Sequence, residues 1–89
     1  MALVRFIYPF SNITGKGSIE VEARDVGDLC RQLIERFGPG MEFLLDAKGE
    51  VSRELVILVN RRNVHTLAGA DTPLQRDTEV LIMPYITGG

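Results

Sequence analysis

The chain closes on Thr87-Gly88-Gly89, and this is where residue type and position together suggest chemistry. With Gly89 as the last residue, its α-carboxylate is expected to be the end of the protein and ionised at neutral pH. Two residues without side chains can thread a narrow channel in any backbone conformation. Such a carboxylate can attack the α-phosphate of ATP to give an acyl-adenylate. The carbonyl carbon, uncrowded by side chains, is then open to a sulfur or amine nucleophile. The bland alternative is a frayed terminus, where small residues are common.

Other reactive residue types are sparse. Cys30 falls on an apolar helical stripe and reads as a small buried hydrophobe rather than a reactive thiol. His65 has no Cys or His at ligand spacing, so no metal site is expected. Gly15-Lys16-Gly17 lacks the spacing and the Ser/Thr of a phosphate-binding loop. No Ser-His-Asp or paired-carboxylate arrangement can be argued. Arg61-Arg62 reads as a solvated turn or as a basic contact for a partner.

The elements that must position the terminus come from pattern. Leu3 to Tyr8 reads as a strand, with Val4, Phe6 and Tyr8 on one face and Leu3, Arg5 and Ile7 on the other. Pro9 to Gly17 reads as a loop. Ser18 to Ala23 alternates, with Ile19, Val21 and Ala23 inward, and completes an antiparallel hairpin. Asp25 is an N-cap, and Val26, Leu29, Cys30, Leu33, Ile34 and Phe37 form one helical stripe. Gly38 and Pro39 end that helix at Phe37. Gly40 to Arg53 stays open between a short strand and a turn of helix, with a turn at 46–49. Glu54 to Val59 reads as a buried strand, Asn60 to Asn63 as a turn, and Val64 to Leu67 as a short returning strand. Ala68 to Pro73 is loop with Leu74 as an apolar anchor, and Glu79 to Met83 is the last strand. Pro84 cannot donate to a ladder, so the sheet should stop there. Five residues follow it, with an extended reach of about 17 Å.

Bulk properties narrow the class. At 89 residues the chain is one domain with one modest core. Its hydrophobic content of 45% makes it globular. A net charge of −2, from 10 basic and 12 acidic residues, argues against nucleic acid as a partner. No apolar run approaches a membrane span, no secretory signal is evident, and the single cysteine cannot form an internal disulfide. The expected location is the cytoplasm. Two strands and one amphipathic helix cannot close a core, so the later strands must lie beside the first under that helix. The expected fold class is α+β.

This order, ending in Gly88-Gly89, resembles the β-grasp, or ubiquitin-like, fold, and within it the MoaD and ThiS sulfur carriers and the related small archaeal modifier proteins. The residues that carry the resemblance are Val56-Ile57-Leu58-Val59-Asn60, then Leu67, Gly69, Asp71-Thr72 and Leu74, then Asp77, Val80, Ile82, Pro84 and Gly88-Gly89. The longer stretch from Gly40 to Arg53 favours the MoaD type. The chain departs from the family where Asn60-Arg61 replaces Asn-Gly, where Asp77-Thr78 replaces Gly-Asp, and where the bulky Tyr85 follows Pro84.

The resemblance implies a β-grasp domain over 1–84, with one main helix packed on one face of a mixed sheet, and a flexible tail over 85–89. It implies a carrier rather than an enzyme, with no bound cofactor. A ubiquitin-activating-type enzyme would adenylate Gly89 with ATP, and a sulfur donor would convert the adenylate to a thiocarboxylate. Gly88, Thr87, Ile86 and Tyr85 would give the tail access. For the MoaD type the sulfur goes to the molybdopterin precursor, within a complex with a larger catalytic subunit of molybdopterin synthase type. Alternatives are a modifier joined through Gly89 to target lysines, a sulfur carrier for tRNA thiolation, and a β-grasp interaction module with an inert tail. An outward apolar patch of Ile7, Leu81 and Met83, with Arg61 and Arg62 as basic contacts, is expected to meet the partners.

Overall fold

The computed structural model describes residues 1–85. Five strands form one mixed sheet: β1 (Ala2–Phe6), β2 (Ser18–Val21), β3 (Leu55–Val59), β4 (Arg62–Asn63) and β5 (Glu79–Pro84). Their spatial order is β2-β1-β5-β3-β4. The chain's last strand is therefore the centre of the sheet, parallel to β1 and antiparallel to β3. Helix α2 (Val26–Phe37) has the predicted bounds and lies across one face, and this mixed sheet under one main helix is the expected β-grasp arrangement.

Local chemistry explains where α2 begins and ends. The Asp25 carboxylate accepts from Asp28 N–H at 2.7 Å, and the Asp28 carboxylate reaches back to Arg24 N–H at 3.1 Å. Two amide donors at the helix start are thus satisfied by side chains. At the other end Gly38, at φ 61°, donates its N–H to Ile34 O at 2.8 Å. The start is pinned a second time from far along the chain. Val26 N–H donates to Thr72 O at 3.0 Å, and Leu74 N–H to Arg24 O at 3.0 Å.

The core lies between α2 and the sheet. Val26, Leu29, Cys30 and Leu33 meet Ala2, Val4, Phe6, Val21, Leu55, Ile57, Val59, Val80 and Ile82, all buried. Ile19 and Phe37 pack at its edge, Phe37 edge-on to Phe6 with ring centroids 6.3 Å apart.

Three expectations are corrected. Residues 10–14 are not loop but a short helix, α1 (Phe10–Thr14), and Phe10 fills the core. The strand β1 stops at Phe6, so Tyr8 is not inward but 69% exposed. The returning strand is Arg62–Asn63, two residues earlier than expected, and Val64–Thr66 forms a 3-10 turn that buries Val64. The reason is a two-residue hairpin turn. Asn60 and Arg61 both take positive φ, 48° and 73°, so pairing resumes at Arg62 opposite Val59. The stretch left open forms a 3-10 turn at Glu42–Leu44 and a bridge between Leu45 and Val51, with Met41, Leu44 and Val51 in the core. Among the described residues no helix is long and apolar enough to cross a membrane.

Two stability outcomes follow. Leu33→Ala should cost about 2–5 kcal/mol by denaturant unfolding, as a fully buried leucine on the helix–sheet contact. A loss below about half a kcal/mol would remove Leu33 from the core. Arg61 holds a left-handed backbone that costs a non-glycine residue roughly 1–2 kcal/mol. Glycine loses about 0.5–1 kcal/mol through its freer unfolded chain. Arg61→Gly should therefore raise the melting temperature by a few degrees; a fall would show that the Arg61 side chain makes stabilising contacts that outweigh the turn strain.

Candidate functional site

Residues Ile86, Thr87, Gly88 and Gly89 lie outside the described residues, so the site is what delivers them. Each strand of the sheet has one face toward α2 and one away. On β5, Val80 and Ile82 are buried under the helix, and Leu81 and Met83 face the other way, half-buried. Register sets their neighbours. Leu81 lies between Leu58 and Arg5, and Met83 opposite Val56. Ile7, one residue past β1, is 43% exposed at the same end as Met83. The expected group of Ile7, Leu81 and Met83 is therefore brought together, and Val56 and Leu58 of β3 extend it. Sequence reasoning missed these two because Leu55 to Val59 is apolar throughout and showed no period-2 signal for which face is open.

This apolar group on the open sheet face is framed by charge. Its frame includes the Arg5–Glu79 pair, with Nε and Oε2 2.9 Å apart. Both side chains are about half exposed, so the pair contributes little to stability. The face runs without a break to Pro84 and Tyr85, where Tyr85 is 60% exposed. Tyr8 stands exposed at the same end of the sheet. Arg61 and Arg62 are exposed too, but in the β3–β4 turn at the opposite end. The structure does not bring them to Ile7, Met83 and the start of the tail.

The other candidates have structural positions. Cys30 is fully buried, and burial pushes its thiol up to about 12, with the nearby Arg31 charge only partly opposing this. It is a packing residue and protonated throughout the ordinary pH range. His65 Nε2 lies 3.5 Å from the Ser52 carbonyl oxygen, and no cluster of metal-ligating side chains occurs among the described residues. Gly15 ends α1 at φ 72°, and Lys16 lies in the turn that follows it. A broad, open groove separates the 45–54 turn from the 65–71 segment. Its Asp46 carboxylate accepts from Lys48 N–H at 2.8 Å and Glu50 N–H at 3.0 Å, which shapes the turn.

Comparison with known proteins agrees with this geometry. The ThiS family model matches residues 4–89. A candidate sulfur carrier protein of Archaeoglobus fulgidus is 35% identical over 81 residues, spanning 91% of this chain and 92% of that one. Among solved structures, a Haloferax volcanii protein is 31% identical, with a TM-score of 0.82 over 99% of this chain and 85% of its own. A chain of the Amycolatopsis orientalis BexX/CysO complex is 20% identical, with a TM-score of 0.85 over 100% of both chains. That last likeness is one of fold. The chain belongs to the ThiS family.

Proposed function

We propose that the protein is a sulfur carrier that works through its own C-terminus. A ubiquitin-activating-type enzyme adenylates the Gly89 carboxylate with ATP, and a sulfur donor displaces AMP to leave a thiocarboxylate. The observation that carries this reading is the placement of β5. The central strand of the sheet runs straight off the apolar open face into Tyr85, with Gly88-Gly89 four residues or fewer beyond it. A partner seated on that face would meet the terminus without any rearrangement of the core. The protein itself supplies no catalytic group in this scheme; binding by the open face and the terminal carboxyl are its whole contribution. The A. fulgidus relative's name and family membership support carriage of sulfur.

The acceptor we propose is the molybdopterin precursor, in a complex with a larger catalytic subunit. The longer stretch from Gly40 to Arg53, anchored by Met41, Leu44 and Val51, supports the MoaD type over the shorter ThiS type. Assembly of a chain of this fold with a second protein, as in the BexX/CysO complex, supports a partnered mode of action.

The chemistry is tested with the activating enzyme of the same organism, ATP and a sulfide source. Intact mass should rise by the difference between sulfur and oxygen. The gain should vanish when Gly89 is deleted or when one residue is added after it, because either change moves the carboxyl to a different atom. Neither variant should shift stability by more than about 0.5 kcal/mol. Lysine-linked adducts through Gly89 in place of the mass gain would favour a protein modifier. Absence of both, with an enzyme proven active on another carrier, would reject activation altogether.

The surface has its own test. Leu81→Asp puts a charge at the centre of the open face and leaves the helix-side core intact. It should weaken binding to the activating enzyme at least tenfold, about 1.4 kcal/mol, with the amide spectrum of the core unchanged. Unaltered affinity would show that the partner docks elsewhere.

A further inference from the structure

Strand β5 loses its pairing partners on both sides at the same level, and a different group removes each. On the β1 side, Leu3 N–H donates to Thr78 O and Ile7 N–H to Ile82 O, each at 2.9 Å. The next bond of this parallel ladder would run from the amide of residue 84 to the Ile7 carbonyl. Pro84 has no N–H, and the Ile7 carbonyl accepts instead from Phe10 N–H at 2.9 Å. On the β3 side, Asn60 N–H donates to Glu79 O at 2.8 Å. Antiparallel pairs alternate between hydrogen-bonded and non-hydrogen-bonded. Counting from Asn60 and Glu79, Val56 and Met83 are a bonded pair, and Leu55 and Pro84 are not. This is why a proline fits inside β5. The next bonded pair in the register would be Glu54 with Tyr85. The Glu54 N–H, however, is held by Ser52 Oγ at 3.1 Å.

The alternation therefore leaves one donor that could recruit Tyr85 to the sheet, and the Ser52 hydroxyl occupies it. We propose that Ser52 is a positioning residue for the C-terminal carboxyl: by holding the Glu54 amide it keeps Tyr85 off the edge of β3, so that the reach of the terminus is counted from Pro84. The inference rests on the reading of Gly89 as the activated group. Each residue drawn into the ladder would shorten the reach of the terminus by about 3.4 Å. A carboxyl that must meet the α-phosphate of ATP tolerates little of that. Ser52 touches neither ATP nor Gly89 in this account; it acts through Glu54 and Tyr85.

The test compares wild type with Ser52→Ala and Ser52→Thr as full-length proteins. The alanine variant frees the Glu54 amide, which takes Tyr85 O as its acceptor and presents Glu54 O to Tyr85 N–H. Tyr85 amide exchange, followed by NMR, should slow by roughly three- to tenfold, the worth of one net hydrogen bond. In ATP–pyrophosphate exchange with the activating enzyme, KM for the carrier should rise by the same factor and kcat should stay. Threonine keeps the Oγ and should restore both readouts to wild-type values. Unchanged Tyr85 exchange in Ser52→Ala overturns the proposal. So does a threonine variant that behaves like alanine, or loss of protection at Ile57 and Val80, which would make Ser52 a folding residue. Failure of the carrier reading shows separately, as a wild-type protein that never supports pyrophosphate exchange; the Tyr85 result does not depend on it.

Discussion

The structure depends on the insertion of the last strand between β1 and β3. β5 pairs with Leu3 to Phe6 on one side and with Leu55 to Val59 on the other. Without it the β1–β2 hairpin and the β3–β4 hairpin share no hydrogen bonds, and α2 has no continuous surface to cover. The parallel pairing joins the two ends of the chain and needs everything between as its crossover. Contacts of such long sequence separation are entropically costly to form and tie the whole domain into one cooperative unit. They also hold Glu79–Pro84 in the middle of the sheet.

A single sheet with one helix leaves two unlike faces. The α2 side is closed by Leu29, Cys30 and Leu33 and completed by residues of the short connecting segments: Phe10, Met41, Leu44, Val51 and Val64. The other side keeps Val56, Leu58, Leu81 and Met83 half-buried. Alternation forces this outcome, because a strand that is apolar on both faces needs cover on both. The half-covered sheet is the surface on which the proposed docking rests, and it continues to Tyr85.

The loops do more structural work than their composition suggests. Thr72 and Thr78 are buried, and each hydroxyl accepts from a main-chain N–H, Ala68 at 3.1 Å and Gln75 at 3.0 Å. The Asn60 side chain accepts from Glu79 N–H at 3.0 Å while its own N–H donates to Glu79 O. The start of β5 is thereby fastened to the β3–β4 turn by one residue. Asn serves here because it accepts a positive φ and carries an acceptor of the right length.

Helix α2 was fully legible from the sequence, because its stripe, its Asp25 cap and its Gly38 stop are local signals that agree with one another. The inward positions of β1, β2 and β5 and the stop at Pro84 followed from period-2 alternation and from proline's missing donor. So did the outward placement of Leu81 and Met83. The resemblance carried by residues of β3, the 67–74 segment, β5 and the terminal Gly88-Gly89 pointed to the ThiS family before any fold was known. What only the tertiary structure decided were pairings and fillings. A β1 register that ends at Phe6 releases Tyr8, and Phe10, in the short helix over 10–14, takes a buried place in the core, stacked on Phe43. A two-residue turn at Asn60-Arg61 moves the return strand forward to Arg62. The all-apolar β3 has no intrinsic inside or outside; its faces are assigned by β5, which pairs Ile57 with Ile82 and Leu58 with Leu81. Local pattern reports what a residue prefers, but which of two apolar faces is covered is a property of the neighbour across the ladder.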